Sequence, residues 1–379
     1  GSKQEETSEN EEQGQTEQSR QTVAEENDAE QVKTAGNLEV HFIDVGQGDA
    51  TLIKCDGHSM LIDAGNNDKG TLVQNYLQHQ GVETLDYVIG THPDADHIGG
   101  MDVVLYKFDC KTIIMPDVAN NTRTYDDVVQ TMKNKGYKTT YPVVGETYTI
   151  GGAAFTIIAP NKEYGNDMNS WSVGVLLQNG NHRFLFTGDA EEGAEQDILQ
   201  NGIDISADVY KVAHHGSNTA TSQAFLDAVH PTYAVISAGE GNSYGHPHAE
   251  VLNRLRAAGV SVFRTDEQGT IVAASDGTTL TWNMSPSESW QAGEAKKSQD
   301  TDKSEKSTDS QNNAETDAAV SNPTDQTDGN SDVIVHITKT GEKYHSAGCQ
   351  YLRKSDIEVT LSEAKARGLT PCSKCNPPQ

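Results

Sequence analysis

The segment THPDADHIGG, residues 91–100, places two histidines and two aspartates within six consecutive positions. It directly follows LDYVIG, residues 85–90, an apolar run typical of a buried strand. Imidazole and carboxylate groups are ligands for zinc, iron or manganese, so the cluster predicts a metal site. The alternative is a polar turn whose aspartates cap a helix that follows at Gly99.

Three other polar clusters also follow apolar strands. They are Asp63 in LIDAG, Asp189 in FTGD, and His214 with His215 in AHHGS. Layered α/β proteins collect binding groups at the carboxyl ends of their strands, so the joint occurrence favours a metal site over a turn. The predicted donors of the loop are His92, Asp94, Asp96 and His97.

These donors are enough to bind two ions, with the Asp189 carboxylate bridging them. Two ions about 3.5–4 Å apart lower the pKa of a shared water and hold the attacking and leaving oxygens of a displacement at phosphorus or carbonyl carbon. The residue types therefore predict a hydrolase.

The surrounding sequence predicts a mixed α/β domain over residues 38–284. LEVHFIDV, residues 38–45, alternates apolar and polar side chains as a strand does, and Asp56-Gly57 is a hairpin turn signal. Gly70–Gln80 has helical spacing, and Gly81 provides a helix stop.

Two polar segments flank this domain. Residues 1–37 and 285–331 lack apolar periodicity, and we expect a disordered acidic tail and a disordered linker. The tail has ten acidic and three basic residues and the linker ten and four, so together they carry 13 of the 28 net negative charges. A strongly negative net charge argues against nucleic-acid binding, but this argument is weaker when the charges of the two segments are left out.

The compartment is predicted from the N-terminal end of the chain. No apolar run reaches the roughly 18 residues of a membrane span, and no signal peptide is present. The opening Gly-Ser is interpreted as a cloning remnant in place of a native leader. We expect an extracellular or cell-surface protein, and the sequence identifies no protein partner.

Residues 332–379 predict a small separate module. His345, Cys349, Cys372 and Cys375 have the spacing of a tetrahedral zinc site. A module of this size rarely has a sufficient core, so a structural zinc ion would stabilise it. A disulfide plus a free thiol is the alternative.

The motifs HFIDVGQGDA, LIDAG, THPDADHIGG, FLFTGD and KVAHHGS together resemble the metallo-β-lactamase superfamily, and more closely the extracellular hydrolase domain of the ComEC competence family. The resemblance covers the central domain. It implies a four-layered αββα sandwich with metals at its edge. It also implies metal-dependent phosphodiester hydrolysis, proposed in that family to degrade one DNA strand during uptake.

The resemblance also implies roles for individual residues. His92 and Asp94 would bind one metal, and Asp96 and His97 the other. The remaining assignments are Asp189 as the bridge, His215 as the completing ligand of the second site with His214 as its competitor, and Asp63 as a residue that orients the loop.

The segment NSYGHPH, residues 242–248, also fits the ComEC pattern. In this interpretation His246 or His248 contacts a phosphate oxygen or protonates the leaving group. A His-Pro turn that caps the following helix explains the same residues.

Two positions depart from the broad superfamily. Asp94 stands where a second histidine is usual, which shifts metal preference toward manganese while leaving zinc open. A histidine expected before SVGVLL is missing, and Asn169 fits that place best, so we expect the first metal to be held weakly. Both departures favour a phosphodiesterase over a β-lactamase or thiolesterase.

The C-terminal pattern GCxYL, EAxxxGxxPCxxC is similar to the metal-binding domain at the start of the Ada DNA-repair protein. Seven basic residues in this module are suited to gripping DNA phosphates or a surface partner, and a plain folding cap is equally consistent. They are Lys339, Lys343, Arg353, Lys354, Lys365, Arg367 and Lys374.

The sequence therefore predicts a free-standing, secreted or cell-surface DNase without the membrane channel of ComEC proteins. Its predicted catalytic residues are Asp96, Asp189 and His246. One alternative is a phosphodiesterase acting on a small or wall-linked phosphodiester, such as a phosphorylcholine ester. The other is a catalytically weak DNA-binding protein that has lost efficient metal binding.

Overall fold

A computed structural model describes residues 34–293 and, in the C-terminal part, residues 334–338, 343–346, 349, 352, 357–366, 369–372, 375 and 377. The chain divides into two compact units near residue 297. Residues 1–33 of the predicted tail and residues 294–331 of the predicted linker lie outside the described residues.

The first unit alternates short strands and helices. Its strands are β1 (Leu38–Phe42), β2 (Thr51–Cys55), β3 (His58–Ile62), β4 (Thr84–Ile89), β5 (Asp109–Ile114), β6 (Thr139–Thr140), β7 (Thr147–Ile150), β8 (Ala153–Ala159), β9 (Gly174–Asn179), β10 (His182–Phe186), β11 (Val209–Lys211), β12 (Tyr233–Ile236), β13 (Ser261–Arg264), β14 (Ile271–Ser275) and β15 (Leu280–Trp282). Its helices are α1 (Gly70–His79), α2 (Ala95–Ile98), α3 (Met101–Lys107), α4 (Arg123–Lys135), α5 (Glu192–Gln200), α6 (Gln223–Val229), α7 (Ala249–Ala257) and α8 (Thr265–Gln268).

Local signals in the sequence explain several of these boundaries. Asp56 and Gly57 both have positive φ, as the tight β2–β3 hairpin requires. Helix α1 ends just before Gly81, which also has positive φ. Helix α4 begins after Thr122, whose side chain accepts a hydrogen bond from the Tyr125 amide.

The strands form two sheets. One has the order β15-β14-β1-β2-β3-β4-β5-β6, and the other has the order β13-β12-β11-β10-β9-β8-β7. Strands β3, β4 and β5 are parallel, as are β10, β11, β12 and β13. Because parallel strands end at the same side of a sheet, the loops after these strands collect at one edge.

Three buried apolar clusters separate four layers. The middle cluster packs the two sheets together and contains Phe42, Phe155 and Phe184. The other two clusters cover the outer faces, one through helices α1, α3 and α4 and the other through helices α5, α6 and α7. This is the predicted αββα sandwich.

The described fold begins four residues before the predicted boundary at Leu38. Gly36 N donates a hydrogen bond to Asn179 Oδ1 (2.8 Å), and Gly180 N donates one to Thr34 O (3.0 Å). The segment makes these contacts through its own backbone groups, so its polar composition gave no sign of them.

The fold also continues past the predicted boundary at Met284. Ser285–Gly293 runs along the second sheet, and Trp290 packs against the outer apolar cluster there. At its end, Gly293 N donates a hydrogen bond to Pro247 O (2.8 Å). A single tryptophan in a polar segment was too weak a signal to predict this packing.

The second unit contains strands β16 (Ile334–Ile337), β17 (Lys343–His345), β18 (Ile357–Thr360) and β19 (Thr370–Pro371) and helix α9 (Leu361–Ala366). The strands form one sheet in the order β18-β16-β17-β19. Its apolar cluster contains Val335, Ile337, Tyr344, Val359, Leu361 and Ala364. The described residues of this unit form only small apolar clusters, which agrees with a need for a metal.

Across the described residues of both units, every helix is too short or too polar to cross a lipid bilayer.

The packing of Ser285–Gly293 can be tested through Trp290, over which the Arg256 guanidinium lies at 5.8 Å. Trp290→Ala should lower the free energy of unfolding by about 1–3 kcal/mol, because apolar area and this cation contact are lost. Urea unfolding measures the change. Val143→Ala, at an exposed apolar residue, is the control and should change it by less than about 0.5 kcal/mol. Equal effects of the two substitutions would contradict the packing.

Candidate metal centre

The predicted polar clusters meet where the parallel strands end. Thr91–His97 follows β4, Asp63 follows β3, Asp189 follows β10, and His214 with His215 follows β11. The clusters thus come from the same edge of both sheets. Residues separated by more than 100 positions in the sequence become neighbours there.

Four of the predicted ligands form one cluster. Ligand atoms of Asp96, His97, Asp189 and His215 lie within 4.8 Å of one another. Asp189 Oδ1 is 3.1 Å from His97 Nε2, and Asp189 Oδ2 is 3.5 Å from His215 Nε2. The two oxygens of Asp189 thus face two different histidines of the same four-residue cluster.

The other two predicted ligands lie beside this cluster. His92 Nε2 is 3.6 Å from Asp94 Oδ2, and the His92 and His97 rings are 4.2 Å apart at their centroids. Asp94 stands at the start of α2, but its side chain makes no capping hydrogen bond. The helix-cap interpretation therefore does not account for this carboxylate.

Asn169 does not join the cluster. Its amide Nδ2 donates to Glu191 Oε1 (3.2 Å), which is also approached by Thr219 Oγ1 (3.1 Å) and His214 Nδ1 (3.4 Å). Asn169 is thereby tied to the rim of the site. The His92 and Asp94 side thus has fewer donors than the side that contains His215.

Buried atoms without hydrogen-bond partners test whether the site fits metal ions. His92 Nε2, His97 Nε2 and Asp189 Oδ1 are buried and make no hydrogen bond. His97 Nε2 and Asp189 Oδ1 are close, but they are not oriented as donor and acceptor. A buried polar atom without a partner destabilises a fold. A divalent cation bound between these atoms would give each of them a partner. The residues fit divalent metals.

The charged groups of the cluster shift the pKa values of its histidines and of Asp96. Burial lowers the pKa of His215, but Asp189 and Asp49 outweigh it and raise the pKa to about 10. Burial likewise opposes the charge of His97, yet three carboxylates hold its pKa well above the usual range. Burial raises the pKa of Asp96, and the two imidazoles more than reverse this, to about 2. Protons therefore compete with metals for the two imidazoles.

Asp63, which was predicted to orient the loop after β4, contacts that loop through both of its carboxylate oxygens. Its Oδ1 accepts a hydrogen bond from Thr91 N (2.8 Å), and its Oδ2 accepts from Thr91 Oγ1 (2.7 Å) and lies 2.9 Å from His97 Nδ1. His97 Nδ1 thereby donates to Asp63, which directs Nε2 towards the cluster, where a metal would take the place of its proton. Asp63 itself has a φ of 59°, so the backbone is constrained at this point.

The loop Gly46–Asp49 supports the backbone at Asp96, a role that the sequence did not indicate. Asp49 N donates to Asp96 O (3.1 Å), and Asp49 O accepts from Gly65 N (2.8 Å). A Cβ at Gly48 would collide with the Asp96 carbonyl oxygen. The glycine-rich motif GQGD is typical of a close backbone approach, but the sequence did not show that Asp96 would be the partner.

Asp49 also forms a buried ion pair. Its Oδ2 is 2.8 Å from Lys211 Nζ, its Oδ1 is 3.3 Å from His215 Nδ1, and both Asp49 and Lys211 are almost fully buried. His215 Nδ1 also lies 3.0 Å from Ser237 O. His215 Nδ1 donates in these contacts, so the ring is oriented with Nε2 facing the cluster.

His214 and His215 have different surroundings. His215 belongs to the four-residue cluster, whereas His214 Nε2 is 3.6 Å from Asp189 Oδ2 and its side chain is partly exposed. Both residues have left-handed backbone angles, with φ of 50° and 54°. The structure therefore favours His215 over His214 as the fourth member of the cluster.

His246 lies next to the cluster and is buried. Gln47 Oε1 accepts from Gly239 N (3.1 Å), which fixes the Gln47 amide so that its Nε2 donates to His246 Nδ1 (3.3 Å). Burial, followed by the neighbouring His215, lowers the pKa of His246 to about 4. At neutral pH His246 is thus uncharged, with its proton on Nε2.

His248 connects two loops. Its Nδ1 accepts a hydrogen bond from Asn218 N (3.0 Å), and its Nε2 lies 3.2 Å from Tyr244 O. It stands at the start of α7 but makes no side-chain capping bond. Both ring nitrogens are therefore used in holding the loops rather than in contacting a substrate.

In the second unit the four predicted ligands also meet. Ligand atoms of His345, Cys349, Cys372 and Cys375 lie within 4.8 Å of one another. Ser346 N donates to Cys375 Sγ (3.4 Å), a contact that stabilises a thiolate. The cysteines are not joined as a disulfide. This cluster is a second candidate metal site.

Comparisons with known proteins agree with these findings. A family model described as the Metallo-beta-lactamase superfamily matches residues 43–240, a little over half of the chain. ComE operon protein 3 of Bacillus subtilis is 31% identical over 255 residues, covering 62% of this chain and 32% of the relative. Recombination protein 2 of Haemophilus influenzae is 33% identical over 238 residues, covering 62% and 28%. The chain spans about a third of the length of these curated relatives.

Among solved structures, the metallo-beta-lactamase fold protein YhfI from Bacillus subtilis matches with 13% identity and a TM-score of 0.43. That match covers 65% of this chain and 99% of the other. Competence protein ComA of Neisseria gonorrhoeae is 29% identical over 230 residues, covering 60% of this chain and 31% of the relative. The resemblance inferred from the motifs is confirmed by the family match and by these relatives.

Removing one member of the buried ion pair should be strongly destabilising. Lys211→Met leaves the Asp49 charge buried and unpaired, and should cost about 3–5 kcal/mol in the free energy of unfolding. Lys111→Met breaks an exposed pair with Asp86 (2.7 Å) and is the matched control, expected to cost less than about 1 kcal/mol. Chemical denaturation measures both. Similar losses in the two variants would contradict the supporting role of the Asp49–Lys211 pair.

Metal binding to the central cluster should release protons. The pKa of His215 is about 10 without metal, so near neutral pH a bound proton must leave before Nε2 can bind an ion. Affinity should therefore fall as pH falls. Calorimetric titration with Mn²⁺ in buffers of different ionisation enthalpy counts the protons, and His215→Ala should release fewer. An equal proton count in both proteins would contradict the raised pKa.

Proposed function

The chain belongs to the metallo-beta-lactamase superfamily, and we propose that its first unit is a metal-dependent phosphodiesterase whose substrate is DNA. The observation that carries this proposal is the convergence of Asp96, His97, Asp189 and His215, with buried imidazole nitrogens that make no hydrogen bond. Such a cluster serves hydrolysis rather than structural stability, because the fold already has large apolar cores.

The composition of the ligand set favours a phosphodiester substrate. Asp94 stands where a second histidine is usual, and Asn169 stands in the sequence where another is usual. The proposed ligand set therefore has as many carboxylates as imidazoles, three of each. Oxygen-rich sites prefer hard ions, and we infer manganese, with zinc as the alternative. The relatives are named for competence and recombination, which supports DNA as the substrate.

We infer two metal positions. His92, Asp94 and Asp189 would hold one ion, while Asp96, His97, Asp189 and His215 would hold the other. When bound, the two ions would supply an activated water and charge neutralisation at the phosphate. With fewer donors in reach, the first position should have the lower affinity.

The chain's own residues orient the ligands and the substrate. Asp63 and Asp49 fix the imidazoles of His97 and His215 through their Nδ1 atoms. His246 is neutral with its proton on Nε2, so it is suited to donate a hydrogen bond to a phosphate oxygen. The low pKa makes His246 a poor proton donor to the leaving group, so we propose the phosphate contact.

We infer a secreted or cell-surface location from the relatives named for competence.

We infer zinc as the ion of the C-terminal cluster. Three thiolates and one imidazole form a soft ligand set, which zinc suits better than manganese. A small or wall-linked phosphodiester and simple DNA binding remain the rival functions, and the experiment below separates them.

The test is hydrolysis by metal-stripped protein with Mn²⁺, Zn²⁺ or Mg²⁺ added back. We expect manganese-dependent cleavage of plasmid and single-stranded DNA. Asp96→Ala should lower the rate at least about 100-fold, because a ligand and its charge are lost. Asp127→Ala is the matched control, since Asp127 is an exposed carboxylate on α4, and it should retain full activity.

Other outcomes would count against the proposal. Turnover of an aryl phosphodiester without DNA cleavage would move the substrate to a small or wall-linked ester. DNA binding without cleavage of either substrate would support the binding protein. Equal activity of Asp96→Ala and Asp127→Ala would contradict the role of the cluster.

A further inference from the structure

Tyr244 is an exposed aromatic side chain at the rim of the metal centre. It is 65% exposed, and its ring lies 5.5 Å from the His246 ring with an interplanar angle of 19°. The His246 ring lies 6.1 Å from the His215 ring at 27°. Three nearly parallel rings thus form a column from the proposed metal ligand His215 to the surface, with Tyr244 outermost.

The loop that carries Tyr244 is held in place by Asn242. Its Oδ1 accepts hydrogen bonds from Tyr244 N (3.1 Å) and His246 N (3.0 Å). Its Nδ2 donates to Gly239 O (2.9 Å) and His246 O (2.6 Å). A buried amide with all these contacts fixes the backbone on both sides of Tyr244. The aromatic ring is therefore presented in a preset position, which reduces the entropy lost when a ligand binds.

The charge of this region limits how a nucleic acid can bind. Residues 239–248, GEGNSYGHPH, contain no lysine or arginine, and the whole chain has a net charge of −28. Proteins that grip duplex DNA through its phosphates use many basic side chains. An aromatic ring contacts the nucleobase rather than the phosphate, because every nucleobase has a π surface that can stack on it.

We propose that Tyr244 stacks on a nucleobase next to the phosphodiester that is cleaved, so that the site accepts unpaired nucleotides. This inference rests on the proposed function. In a duplex, neighbouring bases cover both faces of each base, so only an unpaired base offers a face to Tyr244. The column of rings places that base beside His246, which is suited to contact the adjoining phosphate.

A quaternary ammonium group, as in phosphorylcholine, is the rival occupant. Such groups are usually bound by several aromatic faces that form a cage. The loop at residues 239–248 has one such face, Tyr244, whose stacking partner is an imidazole. One flat and exposed face matches a planar base better.

The experiment is a double-mutant cycle that removes the tyrosine ring and the base separately. Hydrolysis of a short single-stranded oligonucleotide is compared with that of the same strand carrying one abasic nucleotide, placed in turn at each position beside the cleaved bond. The proteins are the full chain, Tyr244→Ala, Tyr244→Phe and Tyr106→Ala. Tyr106 is the matched control, because it is 64% exposed but lies on α3, where its backbone carbonyl accepts from Lys135 of α4.

We expect Tyr244→Ala to raise KM for the intact strand roughly tenfold, with kcat within about twofold. Tyr244→Phe and Tyr106→Ala should behave as the unmodified chain does. At one abasic position, the effects of Tyr244→Ala and of base removal on KM should not be additive, because each change removes the same stacking contact. Activity on duplex DNA should be lower and unaffected by Tyr244→Ala.

Three results would overturn the inference. One is a Tyr244→Ala enzyme with unchanged KM for the intact strand, and another is additive effects at every abasic position. The third is a raised KM for an aryl phosphorylcholine with an unchanged KM for the oligonucleotide. If the unmodified chain cleaves no oligonucleotide at all, the proposed function fails first, and that outcome is distinct from these three.

Discussion

The structure depends on placing several carboxylates and imidazoles together where water is largely excluded. Ionised groups are expensive to bury unless each is paired or hydrogen-bonded. The first unit meets this constraint by surrounding the cluster with fixed partners: Asp63 for His97, and Asp49 with Lys211 for His215. The partners occupy the Nδ1 side of each imidazole, so both Nε2 atoms face inward. The orientation of the imidazoles in the cluster is thus set by the residues that contact their Nδ1 atoms.

Much of this arrangement was predictable because the residues of the candidate metal site follow a simple rule. His92, Asp96, Asp189 and His215 each come shortly after an apolar strand, and the strands of such folds end at one edge. The αββα layering followed from the resemblance and is confirmed by the three apolar clusters. Asp63 was predicted to orient the loop rather than to bind a metal, and its hydrogen bonds to Thr91 are of the kind that this prediction requires.

The supporting residues were not predictable in the same way. Asp49 and Lys211 are 162 positions apart, and no local pattern connects an acidic residue in a glycine-rich loop with a lysine inside a strand. Glu191 was overlooked because a carboxylate beside a helix start is usually a solvated residue. Trp290 was hidden by the polar residues around it. In each case the signal is a contact between distant segments, which composition and periodicity do not record.

The backbone of the site has an evolutionary consequence. Asp63, His214 and His215 all have left-handed angles, a conformation that β-branched side chains rarely adopt. Few sequences can therefore rebuild that side of the centre. The rim is different: Asn169, Glu191 and Tyr244 stand on ordinary backbone, which accepts most side chains. Selection could thus replace the rim residues and change which substrate the site accepts, while the residues at the base of the site stay the same.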